Sequence, residues 1–387
     1  MSPKTAPVYQ SPWVDEEISL FRKNVRRFVQ EEFVPNEARW REQHRCDPEA
    51  WTNAGKTGIL LTDVPEEYGG GGGTFAHETV VMEELAYAGV NFGSGVHSIV
   101  AHYILSYGTE EQKKSWLSRM AAGELVGAIA MSEPVAGSDL QNIKTSARRD
   151  GDHYVISGSK TFITNGWHAS IICLAVKTAS AADAGAKGIS LVIVETKNLP
   201  GYRVGRSLEK IGMHGQDTCE LFFDDVRVPA ANLLGGVEGR GFYQMMEQLP
   251  YERLTVAVAA VAVTEQAVAI TTKYVKERRA FGKTLLEFQN TRFKLAECKT
   301  EAHIGRVFLD NCIIRLMAGQ LDTATAAMAK YWLTDRQCAI VDDCLQLFGG
   351  YGYMMEYPIA RMWADSRVQR IYAGTNEIMK ELVARAL

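Results

Sequence analysis

The 387-residue sequence lacks the features that mark membrane or nucleic-acid proteins. No apolar run reaches the length of about 18 residues that a membrane helix needs, so we expect no contact with a membrane. The 42 basic and 46 acidic residues are interspersed and leave a net charge of −4. Without a basic tract, no nucleic-acid partner is expected. At about 150 residues per domain, the length predicts two or three globular domains.

Cysteine and histidine are scarce and scattered. The seven cysteines are odd in number and form no Cys-x-x-Cys pair, which predicts buried reduced thiols. His97 and His102 fall on different helix faces, and no histidines have metal-ligand spacing, so no metal site is predicted. Residues 1–7 resemble neither a signal peptide nor a transit peptide, which predicts a complete, cytoplasmic chain.

The hydrophobic pattern changes twice along the chain. Residues from about 14 to 120 have the apolar spacing of helices, and the pattern is helical again from about 241 onwards. Between them, short runs rich in valine, isoleucine and aromatics alternate with turns, which is typical of an antiparallel β-sandwich or small barrel. We therefore predict an α+β multidomain protein with an N-terminal helical domain (1–123), a middle β domain (124–236) and a C-terminal four-helix-type bundle (237–387).

One long helix, predicted from about 241 to 277, contains the most informative residue. Pro250 lies inside it and predicts a kink. Glu252 lies just before residues 255–263, which are apolar nearly all round, so this helix should lie inside the bundle. Burial raises the pKa of a glutamate, and a glutamate poised near neutrality suits a general base. We predict that Glu252 removes a proton from carbon; the alternative is a buried ion pair without chemistry.

Other loops are less specific. The five glycines at 69–73 have no Gly-Lys-Ser/Thr after them, which favours a flexible turn over a phosphate-binding loop. Residues 179–187 are small and polar and predict a hairpin loop. The strand-and-turn segments at 129–139 and 157–166 have small residues whose backbone N–H groups can approach a flat polar ring. Generic turns have the same composition, so both interpretations stay open for these two segments.

Five motifs, in this order, resemble those of the acyl-CoA dehydrogenase family. Residues 132–139 resemble its Ser/Thr-Glu-Pro…Gly-Ser-Asp signature. Residues 162–166 resemble its Trp-Ile-Thr-Asn-Gly strand, with Phe162 in place of the tryptophan. The other three are similar to its Arg-x-x-Phe-Gly…Gln, Gln-x-x-Gly-Gly and Gly-Thr-Asn/Ser-Glu motifs, and they lie at 278–289, 346–350 and 374–377. The resemblance spans nearly the whole chain.

The resemblance implies FAD bound between the β domain and the C-terminal bundle. The residues that would line the isoalloxazine and the ribityl chain are Ile129, Ala130, Met131, Ser132, Gly137, Ser138, Phe162, Ile163 and Thr164. Those that would hold the pyrophosphate and adenine ends are Arg278, Phe281, Gln289, Gln346, Leu347, Phe348, Gly349, Gly350, Thr375, Asn376 and Glu377. In this family some of them come from a neighbouring subunit, so a homotetramer is implied. An electron-transferring flavoprotein is the implied electron acceptor.

One departure from the family pattern decides the base. Many members carry the catalytic glutamate immediately before the C-terminal Gly-Thr, where this chain has Ala373. The isovaleryl-CoA and long-chain branches instead place it in a Glu-Arg-Leu stretch of the long helix, and Glu252-Arg253-Leu254 matches that stretch. The burial argument and the family resemblance therefore both assign the role of catalytic base to Glu252. Two further segments, 274–283 and 376–382, look closest to the long-chain branch.

The resemblance implies α,β-dehydrogenation of a saturated, long-chain fatty acyl-CoA to the trans-2-enoyl-CoA. Glu252 would take the α-proton while the β-hydrogen leaves as hydride to FAD, and the backbone N–H of Ala373 would help to stabilise the enolate oxygen. Core packing is the alternative role for Tyr243 and Tyr372, and an ion pair for Arg253. The residues implied to contact the thioester or the pantetheine arm are Ser138, Tyr243, Tyr251, Arg253, Tyr372, Ala373 and Gly374.

Other functions fit the same residues. A branched short-chain substrate of the isovaleryl type, or a terpenoid acyl-CoA, is compatible with the Glu-Arg-Leu placement. An oxidase or flavin monooxygenase of the same superfamily would keep the fold and FAD. A non-enzymatic flavoprotein that binds acyl-CoA is the third alternative. The sequence fixes neither the length nor the branching of the acyl chain.

Overall fold

The computed structural model describes residues 9–178 and 185–387, whose elements follow a helical, β, helical order. The N-terminal helices are α1 (Glu16–Phe28), α2 (Glu37–Gln43), α3 (Pro48–Lys56), α4 (Phe75–Ala88), α5 (Ser94–Tyr107) and α6 (Glu110–Ala121). The middle strands are β1 (Gly127–Ala130), β2 (Ser146–Asp150), β3 (His153–Thr164), β4 (Ile171–Lys177), β5 (Ile189–Glu195), β6 (Tyr202–Ser207) and β7 (Thr218–Pro229).

The C-terminal part is built from three long helices and two short ones. They are α7 (Gly241–Glu277), α8 (Gln289–Met317), α9 (Thr323–Phe348), α10 (Pro358–Ser366) and α11 (Asn376–Ala384), with a small hairpin of β8 (Arg279–Ala280) and β9 (Lys283–Thr284) before α8. The predicted domain boundaries, after residues 123 and 236, fall in the turns that follow α6 and precede α7. Residues 1–7 and the 179–184 part of the predicted hairpin loop lie outside the described residues.

The glycine run at 69–73 is a packed turn. The N–H groups of Gly71 and Gly73 donate to the carbonyls of Leu61 and Thr62 at 3.1 and 2.9 Å. A Cβ added at Gly70 would lie 2.2 Å from the Val64 carbonyl oxygen. The run is glycine because two backbone segments approach each other closely here. The expected flexible turn is therefore corrected to a turn held by backbone hydrogen bonds.

The middle domain is a seven-stranded sheet with the order β1-β4-β2-β3-β7-β6, and β5 pairs with β4. Most pairs are antiparallel, as predicted, but β1 and β2 both pair with β4 in parallel. Parallel pairing is possible because the β2–β3 hairpin supplies the long crossover between β1 and β4. Cys173 of β4 packs toward α5 and α6, whereas Leu174 packs inside the β domain. β4 is therefore buried on both faces, as its continuous apolar sequence indicates.

Helix α7 is the core of the C-terminal bundle and continues through Pro250. It packs against α4, α5, α8 and α9. By length and composition it is the one helix among the described residues that could cross a membrane, with a mean hydropathy of 1.7 over its most apolar window. This finding corrects the expectation, drawn from uninterrupted apolar runs alone, that no segment is long and apolar enough to cross a membrane. Because 67% of that window is buried inside the protein, α7 has the surroundings of a core helix.

A buried ion pair fixes the turn that follows β1. The Lys160 ammonium donates to the Glu133 carboxylate at 2.9 Å and to the Met131 carbonyl at 3.0 Å. The Thr145 N–H also donates to Glu133, at 3.0 Å. Burial lowers the pKa of Lys160 to about 8. Burial alone would raise the pKa of Glu133, but Lys160 and the hydrogen bonds keep it below its usual range. The segment after β1 is thus held rigidly against β3.

Candidate active site

Glu252 lies on α7 where the N-terminal domain, the sheet and the bundle meet. Its side chain is only 7% exposed, and the Tyr103 hydroxyl on α5 donates to its Oε1 at 2.8 Å. Burial raises the pKa of Glu252 to about 7, and the hydrogen bond from Tyr103 and the charge of Arg253 offset only part of that rise. A carboxyl group that ionises near neutrality can both accept and release a proton.

Arg253 is a buried guanidinium with unused donors. It is 3% exposed, and its Nε and Nη1 have no hydrogen-bond partner among the described residues. Burial lowers its pKa. The sequence left an ion pair open as the alternative role of Arg253. Nε and Nη1 do not take part in such a pair with any described residue. Because unpaired buried donors are costly, Arg253 is suited to bind an acceptor oxygen of a ligand, as the predicted thioester or pantetheine contact requires.

Lys330 holds the turn that carries Ala373. Its ammonium, fully buried on α9, donates to the Gly374 carbonyl at 2.7 Å and to Asn376 Oδ1 at 2.9 Å. Ala373 and Gly374 both have left-handed backbones, with φ of 53° and 87°. Burial, together with the charge of nearby Arg253, lowers the pKa of Lys330 to about 8. The C-terminal motif thus sits next to the residue that follows Glu252.

Sequence reasoning missed both Tyr103 and Lys330. Tyr103 is 149 positions from Glu252 in the chain. Its position inside an apolar helix is equally typical of core packing. Lys330 did leave a signal, since it is the one charged residue between 323 and 334 in α9. A lysine in such a setting is rarely buried unless its ammonium has partners.

The two segments predicted to line a flavin ring lie side by side. The Thr161 N–H donates to the Ser132 carbonyl at 3.0 Å. Ile129 pairs with Cys173 across β1 and β4. Burial and the negative charge of Glu252 both raise the pKa of the Cys173 thiol, so the carboxylate lies near this strand pair. The predicted flavin segments and the predicted base therefore meet in one region.

The surface next to this region fits a flat aromatic cofactor. The register of β3 against β7 shifts between Lys160 and Ile163. Phe162 lies in this irregularity with a φ of 61°, and its ring is 69% exposed. A Cβ added at Gly137 would meet no atom within 4 Å. An exposed aromatic face of this kind is what stacking of a flavin ring needs.

The residues predicted for the pyrophosphate and adenine ends form two separate groups. In the first, the Arg278 guanidinium lies 5.5 Å from the ring centroid of Tyr351, and Phe281 is 93% exposed. The Gly-Gly turn of this group follows the end of α9 at Phe348, and its other members are Gln289, Gln346, Leu347, Gly349 and Gly350. The second group, Thr375, Asn376 and Glu377, packs near Lys330. At 1.5 Å per residue, Lys330 and Phe348 lie roughly 27 Å apart along α9.

The remaining predicted contacts differ in exposure. Tyr243 and Tyr372 are 37% and 36% exposed, so neither is a fully packed core residue, and Ser138 is also exposed. Tyr251 is buried. Its hydroxyl lies 3.3 Å from Ser98 Oγ, and its ring centroid is 4.2 Å from that of His102. The structure therefore packs Tyr251 against the N-terminal domain and does not bring it to the site around Glu252.

Comparisons with known proteins agree along the whole chain. Residues 15–124, 128–226 and 239–387 match the family models for the acyl-CoA dehydrogenase N-terminal, middle and C-terminal domains. The chain is 48% identical over 373 residues to the mitochondrial long-chain specific acyl-CoA dehydrogenase of Sus scrofa, covering 96% of this chain and 86% of the relative. It is 34% identical over 378 residues to the mitochondrial isovaleryl-CoA dehydrogenase of Pongo abelii, covering 96% and 89%.

Solved structures show the same relationship. The crystal structure of an acyl-CoA dehydrogenase from Geobacillus kaustophilus is 48% identical, with a TM-score of 0.95 and coverage of 97% of this chain and 99% of that chain. A glutaryl-CoA dehydrogenase from Mycobacterium smegmatis, solved in complex with FADH2, is 27% identical, with a TM-score of 0.89 and coverage of 96% and 95%.

Lys330→Met tests whether the buried ammonium holds the 373–376 turn. The change removes the donor to Gly374 and Asn376, so we expect local opening of the turn to become easier by about 1–3 kcal/mol. Amide hydrogen exchange in 373–376 and at the start of α11 should then speed up by about 5-fold or more. Lys294→Met, at a partly exposed lysine of α8, is the control. Equal exchange in both variants would contradict the role of Lys330.

Proposed function

The chain belongs to the acyl-CoA dehydrogenase family of oxidoreductases that act on acyl-CoA, and we propose that it converts a saturated long-chain fatty acyl-CoA to the trans-2-enoyl-CoA. The family and the helical–β–helical fold class predicted from the sequence are confirmed. The buried Glu252, with a pKa raised to about 7, carries the proposal. The 48% identity to a long-chain enzyme, against 34% to an isovaleryl enzyme, supports the long-chain substrate.

In the proposed reaction, Glu252 takes the α-proton of the thioester. Ala373 has no acidic side chain, so the C-terminal motif offers no competing base at that position. Negative charge then develops on the thioester oxygen, and the Ala373 N–H, in the turn anchored by Lys330, is the proposed donor to it. Burial of Glu252 excludes water from the proton transfer, which strengthens these electrostatic interactions.

FAD is the proposed cofactor, since the family depends on it and the aromatic face at Phe162 fits it. When bound, FAD would supply the acceptor for the β-hydrogen and its electron pair. The segments 129–138 and 162–164 would hold the ring, and Arg278, Phe281 and the 346–350 turn would hold the pyrophosphate and adenine ends.

A homotetramer is proposed as the assembly. The two groups of predicted cofactor residues lie far apart along α9, which fits a site completed by a second subunit. In addition, α8 presents an exposed apolar stripe that includes Ile304, Val307 and Ile314, which are 50%, 44% and 40% exposed. Ile304 and Val307 lie one turn apart on α8, and exposed apolar side chains grouped in this way favour an interface. An electron-transferring flavoprotein as acceptor and a cytoplasmic location are proposed alongside it.

Glu252→Gln tests the base directly. The amide keeps the size of the side chain but cannot accept the α-proton, so turnover should fall by about 10²–10⁴-fold, with flavin binding retained. Glu247→Gln is the matched control, since Glu247 is an exposed glutamate on the same helix and should retain turnover. Near wild-type turnover in Glu252→Gln would refute the assignment.

The substrate class is tested by anaerobic bleaching of the flavin absorbance with short, long and branched acyl-CoAs. We expect fast bleaching with long straight chains. Bleaching by short branched chains alone would keep the mechanism and overturn the long-chain substrate. Rapid reoxidation of the reduced protein by air with product bound would favour an oxidase. If no acyl-CoA bleaches a protein that holds FAD, dehydrogenation itself is refuted.

A further inference from the structure

Tyr103 is the closest polar neighbour that the structure gives to the Glu252 carboxylate. It lies on α5, it is 0% exposed, and its hydroxyl donates to Glu252 Oε1 at 2.8 Å. We propose that, within the function proposed above, Tyr103 is a positioning residue for Glu252, holding Oε1 so that Oε2 is left to take the α-proton. Neither the family match nor the sequence motifs assign a role to this tyrosine.

The geometric role of Tyr103 is to restrain the Glu252 side chain. A glutamate side chain has several rotatable bonds, and a base must lie within hydrogen-bond reach of the proton that it removes. Tyr103 reaches Glu252 from a different domain, since α5 belongs to the N-terminal helices and α7 to the bundle. A hydrogen bond between two buried side chains on two helices fixes one carboxylate oxygen and thereby the direction of the other.

The hydrogen bond from Tyr103 also has an electrostatic effect on the ionised form of Glu252. A hydrogen bond donated to a carboxylate favours ionisation. Burial raises the pKa of Glu252, and Tyr103 is the larger of the two groups that lower it, ahead of Arg253. Removing the hydroxyl should therefore raise the pKa of Glu252 further. At neutral pH, less of the enzyme would then carry the ionised base.

Most of the other groups that face Glu252 keep their charge states where it titrates, and Lys330 is the exception. Burial and the charge of Glu252 raise the pKa of Tyr103 well above its usual range. Burial likewise raises the pKa of Tyr107 on α5 to about 12 and raises that of Cys173 on β4. These three groups remain protonated donors. The cation Arg253 follows Glu252 on α7, and beyond it the Lys330 amine has a pKa lowered to about 8. Lys330 titrates within the pH range of the assay, but it is present in both the wild type and Tyr103→Phe, so comparing the two isolates the effect of the hydroxyl.

Tyr103→Phe in the FAD-loaded enzyme tests the proposal. The change removes one oxygen and leaves the ring in place. The quantity to measure is the apparent second-order rate constant for anaerobic flavin reduction by the acyl-CoA, between pH 5.5 and 9.5. Glu252 must be ionised to act, so activity is lost as the pH falls through its pKa. The acid limb of the pH–rate profile should move up by about one to two pH units. On that limb the rate should be about 10-fold or more below that of the wild type, and the difference should largely disappear toward pH 9.

Tyr107→Phe is the matched control. Tyr107 lies one turn along the same face of α5, and its hydroxyl donates to Glu247 Oε2 at 3.0 Å, not to Glu252. Its acid limb should match that of the wild type. Should Tyr103→Phe lose flavin, 3-fluorotyrosine at position 103 is the second variant. Its more acidic hydroxyl is a stronger donor and should move the limb down.

The outcomes separate this proposal from the proposed function. If the acid limb of Tyr103→Phe stays at the wild-type pH, Tyr103 has only a structural role and the proposal is overturned. This holds whether or not the rate of flavin reduction falls by the same factor at every pH. If Glu252→Gln is inactive in the same assay, the proposed function survives that result. If Glu252→Gln retains turnover, the base assignment fails, and the role of Tyr103 fails with it.

Discussion

Burial of one carboxylate is the constraint on which the site depends. Glu252 sits on a helix whose apolar sequence packs it into the centre of the bundle, and the free energy of ionising a buried glutamate rises as water is removed. The pKa of about 7 reflects a balance in which burial outweighs the hydrogen bond from Tyr103 and the charge of Arg253. A more exposed carboxylate would be a weaker base, and a more isolated one would stay protonated at neutral pH.

Each domain contributes different groups to the surroundings of Glu252. The N-terminal helices supply the Tyr103 hydroxyl, the sheet supplies the wall that carries Cys173, and the C-terminal helices supply Glu252, Arg253 and Lys330. Buried polar groups at domain junctions must be paired, because each unpaired donor costs free energy. Among the described residues, Nε and Nη1 of Arg253 are two of the buried atoms that have no hydrogen-bond partner. We therefore propose that a ligand oxygen completes the hydrogen bonds of Arg253.

The sequence predicted the domain order and the burial of Glu252 because both follow from the spacing of apolar residues. It did not predict the parallel pairing of β1 with β4, which depends on a crossover rather than on local pattern. The resemblance implied a substrate contact for Tyr251. Neighbours on a helix point about 100° apart, however, and the Tyr251 ring packs on His102. Tyr103 was missed because contacts between distant helices leave no local signal.

The most direct test of the account is an infrared titration of the FAD-loaded protein, with wild type minus Glu252→Gln as the difference spectrum. We expect a protonated-carboxyl band that belongs to Glu252 and disappears with a midpoint at about pH 7. If Glu252 is instead already ionised at pH 5, it is not poised near neutrality as the buried base proposed above. The central claim would then be contradicted.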